Sequence, residues 1–207
     1  MNQNFDPPLG TRNRILKVAH DAIVEKGFEA TSVEEIAVAV GISRAGFFYH
    51  FPDKNALARA LIDHQIEEEG AMLAGILDRA AELSDDPFQQ ILIALRFMAE
   101  RYVELPGGYV GCIVASAIFQ ERLFDAEIKA ANKRAQLAFR NRFLPLFSTI
   151  IDRYPPEEPV DPAQMADMVN TVITGAILVA RGMRDRQVLV EQVLLIRQMI
   201  KALFTPR

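Results

Sequence analysis

The stretch that decides the fold runs from Gly27 to Leu57 and reads GFEATSVEEIAVAVGISRAGFFYHFPDKNAL. Ser32 can open a helix there, its hydroxyl taking the N–H of Glu35 while the Glu35 carboxylate reaches back to the N–H of Ser32. Thr31 and Glu34 offer the same box one residue earlier. Val33, Ile36, Ala37 and Val40 recur at helical spacing and mark its inward face. Gly41 falls where the chain must turn tightly, and a residue without Cβ tolerates positive φ. Ser43 then caps a second helix too short to be stable alone. Phe47 and Phe51 must hold it by packing on its neighbours.

Two short helices joined by such a turn are the arrangement that lays the second helix in the major groove of duplex DNA. On a helical wheel Phe47 points to the core, while Arg44, Ala45, Phe48 and Tyr49 share the outward side. Ala45 and Gly46 are small enough for close approach to base edges, and Arg44 can offer a forked pair of bonds to guanine. The hydroxyls of Thr31, Ser32 and Tyr49, with His50, Lys54 and the helix N-termini at Ser32 and Ser43, suit phosphates. Each residue also has a plain structural reading as cap, core or solvated charge. Their combination at this spacing is what points to DNA.

On these residues the stretch resembles the DNA-binding domain of TetR-family repressors. The shared positions are Gly27, Phe28, Ala30, Thr31, Ser32, Val33, Ile36, Ala37, Gly41, Ile42, Ser43, Arg44, Phe47, Phe51, Lys54 and Leu57. They cover the N-terminal quarter; beyond it the likeness is one of length and helix number. The resemblance implies nine helices, three for DNA and six for a dimer interface and ligand pocket, with repression as the mode. Two departures stand out. Phe48 replaces the family's usual tyrosine, so the phosphate bond of that hydroxyl is missing or comes from Tyr49 or His50. Residues 1–57 also lack a basic excess: Arg12, Arg14, Lys17, Lys26, Arg44 and Lys54 face Asp6, Asp21, Glu25, Glu29, Glu34, Glu35 and Asp53. Arg12, Arg14, Arg44 and Lys54 are then left to carry most of the electrostatic affinity, and the salt dependence should be modest.

Outward from this stretch the helical period dominates from residue 11 onward, without strand alternation. A first helix is expected over 11–26, with Ile15, Ala19, Ala22 and Ile23 on one face and Gly27 ending it. A long helix follows Asp53 to about Leu83, and Asp85-Asp86-Pro87 starts another that ends before Pro106. Gly107, Gly108 and Gly111 read as a flexible connection. Helices are expected over 112–121 and 125–153, the latter kinked at Pro145. After a proline-rich loop over 154–162, two last helices span 163–183 and 187–204. The expected protein is all-α: a flexible arm (1–10), a three-helix helix-turn-helix DNA-binding domain (11–53), and a six-helix ligand-binding and dimerisation domain (54–207).

The last two helices are apolar almost all round, through Met165, Val169, Ile173 and Ile177, then Leu189, Val193, Ile196 and Ile200. One face covers the protein's own core and the surplus calls for a second copy. Gly175, Ala176, Ala180 and Gly182 allow close packing, so a homodimer through these two helices is expected. Phe88, Leu92, Leu95, Met98, Tyr102, Cys112, Phe119, Phe139 and Phe143 are the candidates for lining a pocket for a small, largely apolar or neutral effector. Cys112 carries two readings. It is either a reactive thiol at a helix start, making the chain an electrophile- or redox-sensing repressor as in relatives with a Gly-Cys pair, or a small buried hydrophobe.

The bulk numbers bound the alternatives. The net charge of −4 argues mildly against a nucleic-acid partner, but it governs long-range steering and leaves a local cationic surface open. A single cysteine excludes an internal disulfide framework and fits a reducing, cytoplasmic setting. No uninterrupted apolar run approaches the roughly 20 residues of a membrane helix, and residues 1–10 do not read as a signal peptide. A helical enzyme is the rival class. His20, His50 and His64 are scattered, no serine sits in a nucleophile elbow, and Gly107 to Gly111 lacks phosphate-loop spacing. His64 with Glu67 or Glu68 reads as a solvated helix face rather than a metal site, and no cofactor is expected.

Overall fold

The structure is a computed structural model and describes residues 10–104 and 112–204. Among these residues nine α-helices and a single 3-10 turn occur, without strands, as the sequence led us to expect. They are α1 (Thr11–Ala30), α2 (Val33–Val40), α3 (Arg44–His50), α4 (Lys54–Leu83), α5 (Pro87–Glu104), α6 (Ile113–Phe119), α7 (Ala126–Arg153), α8 (Pro162–Met183) and α9 (Gln187–Phe204). The 3-10 turn, Glu121–Leu123, stands between α6 and α7. The N-terminal arm before Gly10 and the glycine connection of Gly107, Gly108 and Gly111 lie outside the described residues.

Two boundaries differ from the sequence reading, and a third point bears on a proline inside a helix. The first helix does not stop before Gly27; one more turn follows, with Gly27 itself out of helical geometry at φ 87° and ψ 165°. The sixth helix ends at Phe119, and the chain tightens into the 3-10 turn before α7. Helix α7 runs through Pro145 as one element, and the Thr149 hydroxyl donates to the Pro145 carbonyl at 3.0 Å.

The chain forms two compact units. The first holds the described residues up to Gln65 together with Ile113–Lys133. Its buried side chains include Ile15, Ile23, Phe28, Ile36, Phe47, Leu57 and Ile62. Phe124, from the later segment, meets Phe28 edge-to-face at 4.8 Å between ring centroids. The second unit holds Ile66–Cys112 and the residues from Arg134 on. One apolar cluster fills it, drawn from α4, α5, α7, α8 and α9, with Leu73, Leu95, Phe143, Val169 and Ile196 among its members. Phe88 joins ring contacts to Tyr154 and Phe204. Asp161 caps α8 by accepting from the N–H groups of Ala163 and Gln164. Such a cap satisfies donors that a helix start otherwise leaves bare.

Candidate nucleic-acid interface

The turn is built as its residues dictate. The Ser32 hydroxyl accepts from the Glu35 N–H at 3.1 Å. Lys26 donates to the Glu35 carboxylate. That bond, foremost, holds the Glu35 acid below its usual range, with the Ser32 backbone adding to it. Gly41 ends α2 in the left-handed region at φ 77° and ψ 37°. Its N–H and that of Ile42 return to Val38 and Ala37 carbonyls, closing the helix end as a left-handed glycine permits. Ser43 then accepts from the Gly46 N–H at 3.0 Å and opens α3.

Phe47 is fully buried and anchors α3. That fixes the rotation of the helix, so Arg44, Ala45, Phe48 and Tyr49 are exposed, with Gly46 and His50 half-buried. Tyr49 stands out most, at 85% exposure, and its ring meets that of His50 edge-on at 5.2 Å. Arg44 lies over the Phe48 ring at 5.5 Å and pairs with Glu34 of α2 at 2.8 Å. Ser32 and Ser43 are exposed at the two helix starts. Ser32, Ser43, Arg44, Ala45, Phe48 and Tyr49 are thus all exposed, and the Arg44–Glu34 pair ties α3 to α2.

Two of the expected phosphate contacts are placed elsewhere. Thr31 is fully buried, and its hydroxyl donates to the Gly27 carbonyl at 2.8 Å. Lys54 is half-buried and donates to the Phe28 carbonyl; burial above all lowers its pKa, against the raising effect of Glu29. The cause is the break at Gly27, which leaves main-chain groups without helical partners. A third side chain, Gln120, accepts from the Phe28 N–H at 2.7 Å. Gln120 escaped the sequence reading because no local pattern links it to residues 92 positions away. Arg14 is likewise engaged, donating to the Val40 carbonyl at the end of α2. Arg12 lies over the Phe51 ring at 5.2 Å.

The pocket candidates divide. Phe88, Leu92, Leu95, Met98, Tyr102, Phe139 and Phe143 are buried in the apolar cluster of the second unit. Cys112 is half-buried and falls in the same unit. Phe119 belongs to the first unit and is 71% exposed. Helix α6 buries Ile113, Val114, Ala115 and Ala117, which leaves Phe119 on its exposed side. Glu69 of α4 was missed. Burial raises its pKa, and the Tyr102 phenol is pushed upward by burial first, then by Glu69 and Cys112. Glu69 keeps helical spacing with Ile62, Ile66, Leu73 and Ile76, a period that marks it as inward-facing. Among the described residues no three His, Cys, Asp or Glu side chains gather as metal ligands would.

On α8 and α9, Leu178, Val179, Met183, Leu195 and Met199 remain exposed in the single chain. By length and composition alone α8 is apolar enough to cross a membrane. It also carries Asp167, held by Arg140 at 2.6 Å.

Residues 15–61 match the model of the bacterial regulatory proteins of the tetR family. The uncharacterized HTH-type transcriptional regulator YvkB of Bacillus subtilis is 36% identical over 63 residues, 30% of this chain and 33% of its own length. The HTH-type transcriptional repressor AcnR of Corynebacterium efficiens is 30% identical over 97 residues, covering 44% of this chain and 50% of its own length. The chain thus spans a third to a half of the length of these two relatives. The fold likeness reaches further. A solved TetR-family transcriptional regulator from Agrobacterium tumefaciens superposes with a TM-score of 0.77 at 18% identity, over 94% of this chain and 98% of that one.

Proposed function

We propose, for a chain that belongs to the tetR family of bacterial regulatory proteins, the work of a cytoplasmic transcriptional repressor that binds a pseudo-palindromic operator as a homodimer and is released by a small-molecule effector. The observation that carries this reading is the outward surface of α3. A fully buried Phe47 sets the rotation of a short helix that presents Arg44, Ala45, Phe48 and Tyr49. These are the residue types that read base edges and backbone in a major groove. The matched segment, residues 15–61, brackets this surface, and a relative that matches over 97 residues is named a repressor.

The partner chain is a second copy, seated on the apolar stripe of Leu178, Val179, Met183, Leu195 and Met199. A symmetric pair gives two α3 helices for two half-sites about one helical turn apart, or a multiple. This occupant also accounts for the apolar length of α8 without a membrane. The effector binds in the second unit, among the residues around Tyr102, and opposes DNA by a coupling of about 1–3 kcal/mol, or roughly 5- to 150-fold. The cysteine-sensing alternative has less support. The Tyr102 phenol is raised by Glu69 and by Cys112, so the thiol shares its surroundings with a carboxylate, whereas reactive thiols sit in electropositive ones.

A mobility-shift assay on duplexes from the region upstream of the chain's own coding sequence tests the reading. We expect retention that Tyr49→Ala and Arg44→Ala each weaken by about tenfold, the scale of one good base or phosphate contact. Retention untouched by both substitutions would overturn the assignment of α3.

A further inference from the structure

Several cations of the first unit are engaged before any nucleic acid arrives. Arg14 donates to Val40 and Lys54 to Phe28, both through backbone carbonyls. Lys26 pairs with Glu35, and Arg59 pairs with Asp125 and Glu127. Arg44, on the outward face of α3, pairs with Glu34. A surface that meets a polyanion usually keeps its charges free for phosphates, because each one neutralised adds to affinity irrespective of sequence. Here the only arginine on α3 carries a carboxylate, and both partners are more than half exposed to solvent.

We propose that Glu34 is a specificity-determining residue, which neutralises Arg44 toward phosphates while leaving it able to read a base. The pair occupies one terminal nitrogen, Nη1, at 2.8 Å from Glu34 Oε1. A guanidinium has five N–H donors in a planar fork. The hydrogens on Nη2 and Nε stay available for the two acceptors of a guanine edge. Directional bonds to a base therefore survive the pairing, and the net charge that drives sequence-independent binding does not. The Glu34 carboxylate also repels any phosphate near it. The Arg44 guanidinium also lies over the Phe48 ring, 5.5 Å from its centroid. The net effect is weaker binding to arbitrary DNA, with little loss on the correct half-site. This inference rests on the DNA-reading role proposed above.

The test uses the full chain and two probes: a duplex it enriches from a random-sequence library, and a shuffled duplex of the same composition. Binding to both is measured by fluorescence anisotropy across a salt series. Glu34→Gln should tighten binding to the shuffled duplex by about fivefold and steepen its salt slope by about 0.9, the signature of one more phosphate neutralised. Binding to the enriched duplex should change less than twofold, so the specificity ratio falls. Glu35→Gln removes the same formal charge from the next position, where Lys26 and not Arg44 is the partner; it should leave the ratio unchanged. Arg44→Ala introduced into Glu34→Gln should abolish the gain. Thermal unfolding confirms that each variant is folded. Equal tightening on both duplexes, an effect reproduced by Glu35→Gln, or an unchanged salt slope would each overturn the role of Glu34. Failure to enrich any duplex would instead overturn the DNA-reading role itself, and this inference with it.

Discussion

In the first unit, single residues settle the backbone. Gly41 permits the left-handed end of α2, Ser32 and Ser43 cap the helices on either side, and Gly27 opens a break that Thr31, Gln120 and Lys54 close. In the second unit such points exist, as where Asp161 caps α8, but long helices burying a repeating apolar face in one cluster dominate. The first region is held by backbone geometry and hydrogen bonds at named points, the second by area and shape. A surface that must present Arg44 and Tyr49 in one orientation needs the former. A chamber that can admit a small molecule is better built from the latter, since apolar packing tolerates redistribution of volume.

The largest expected effect tests the second region. Phe143 is fully buried and lies 5.0 Å, centroid to centroid, from Phe139. Phe143→Ala should cost about 3–5 kcal/mol through lost transfer energy and a cavity. A urea titration followed by circular dichroism checks this. If packing there is plastic, Phe143→Leu should recover most of the loss. A variant as damaging as the alanine would show the cluster to be as exacting as the turn.

A smaller effect, of a different kind, is expected at Gly27. At φ 87° and ψ 165° it occupies a region closed to residues with Cβ. An added Cβ would also meet the Gln120 side chain at 3.1 Å. Gly27→Ala should destabilise the chain by about 2–3 kcal/mol, of which backbone strain is the main part. Gln120→Ala makes room but leaves the Phe28 N–H without its acceptor, so on its own it should cost about 1–2 kcal/mol. The double variant separates the two sources. If Gly27→Ala costs much less when Gln120 is already alanine, crowding dominates; if the costs add, the backbone does.

These contrasts also explain what could be read from the chain beforehand. The caps and the turn were legible because they act over three or four residues: Ser32 reaches Glu35, Ser43 reaches Gly46, and Gly41 closes on Val38. The burial of Phe47 and the exposure of Tyr49 followed from helical period alone. What escaped was tertiary. The carbonyl of Gly27 claims the Thr31 hydroxyl, and that of Phe28 claims the Lys54 ammonium. Both appear as phosphate contacts only while the break in α1 is unknown. Composition groups Phe119 with the pocket, whereas the structure leaves its side chain largely exposed on α6. Glu69 hid within the run Glu67-Glu68-Glu69, whose charge outweighs the period that places one of its members inside.

Glu69 supplies the smallest and most discriminating expectation. Burial raises its pKa, so the folded chain holds the proton more tightly than the unfolded one. For an acid shifted this way, the contribution to stability is fully present below the unfolded pKa and declines as pH rises through the folded one. Asp167 runs the other way: the hydrogen bond from Arg140, above all, lowers its pKa. Its contribution is present above the ordinary carboxylate range and lost as pH falls. Glu69→Gln should therefore match the natural chain at low pH and exceed its stability near neutrality. Asp167→Asn should match it only at low pH and fall below it above the carboxylate range. Urea midpoints measured from pH 4 to 8 distinguish the two. A Glu69→Gln variant that falls further below the natural chain as pH rises above the carboxylate range would mean that the carboxylate is matched by a donor in the folded chain. In that case the core of the second unit would add a hydrogen bond at a named point to the Asp161 cap, and the contrast with the first unit would narrow.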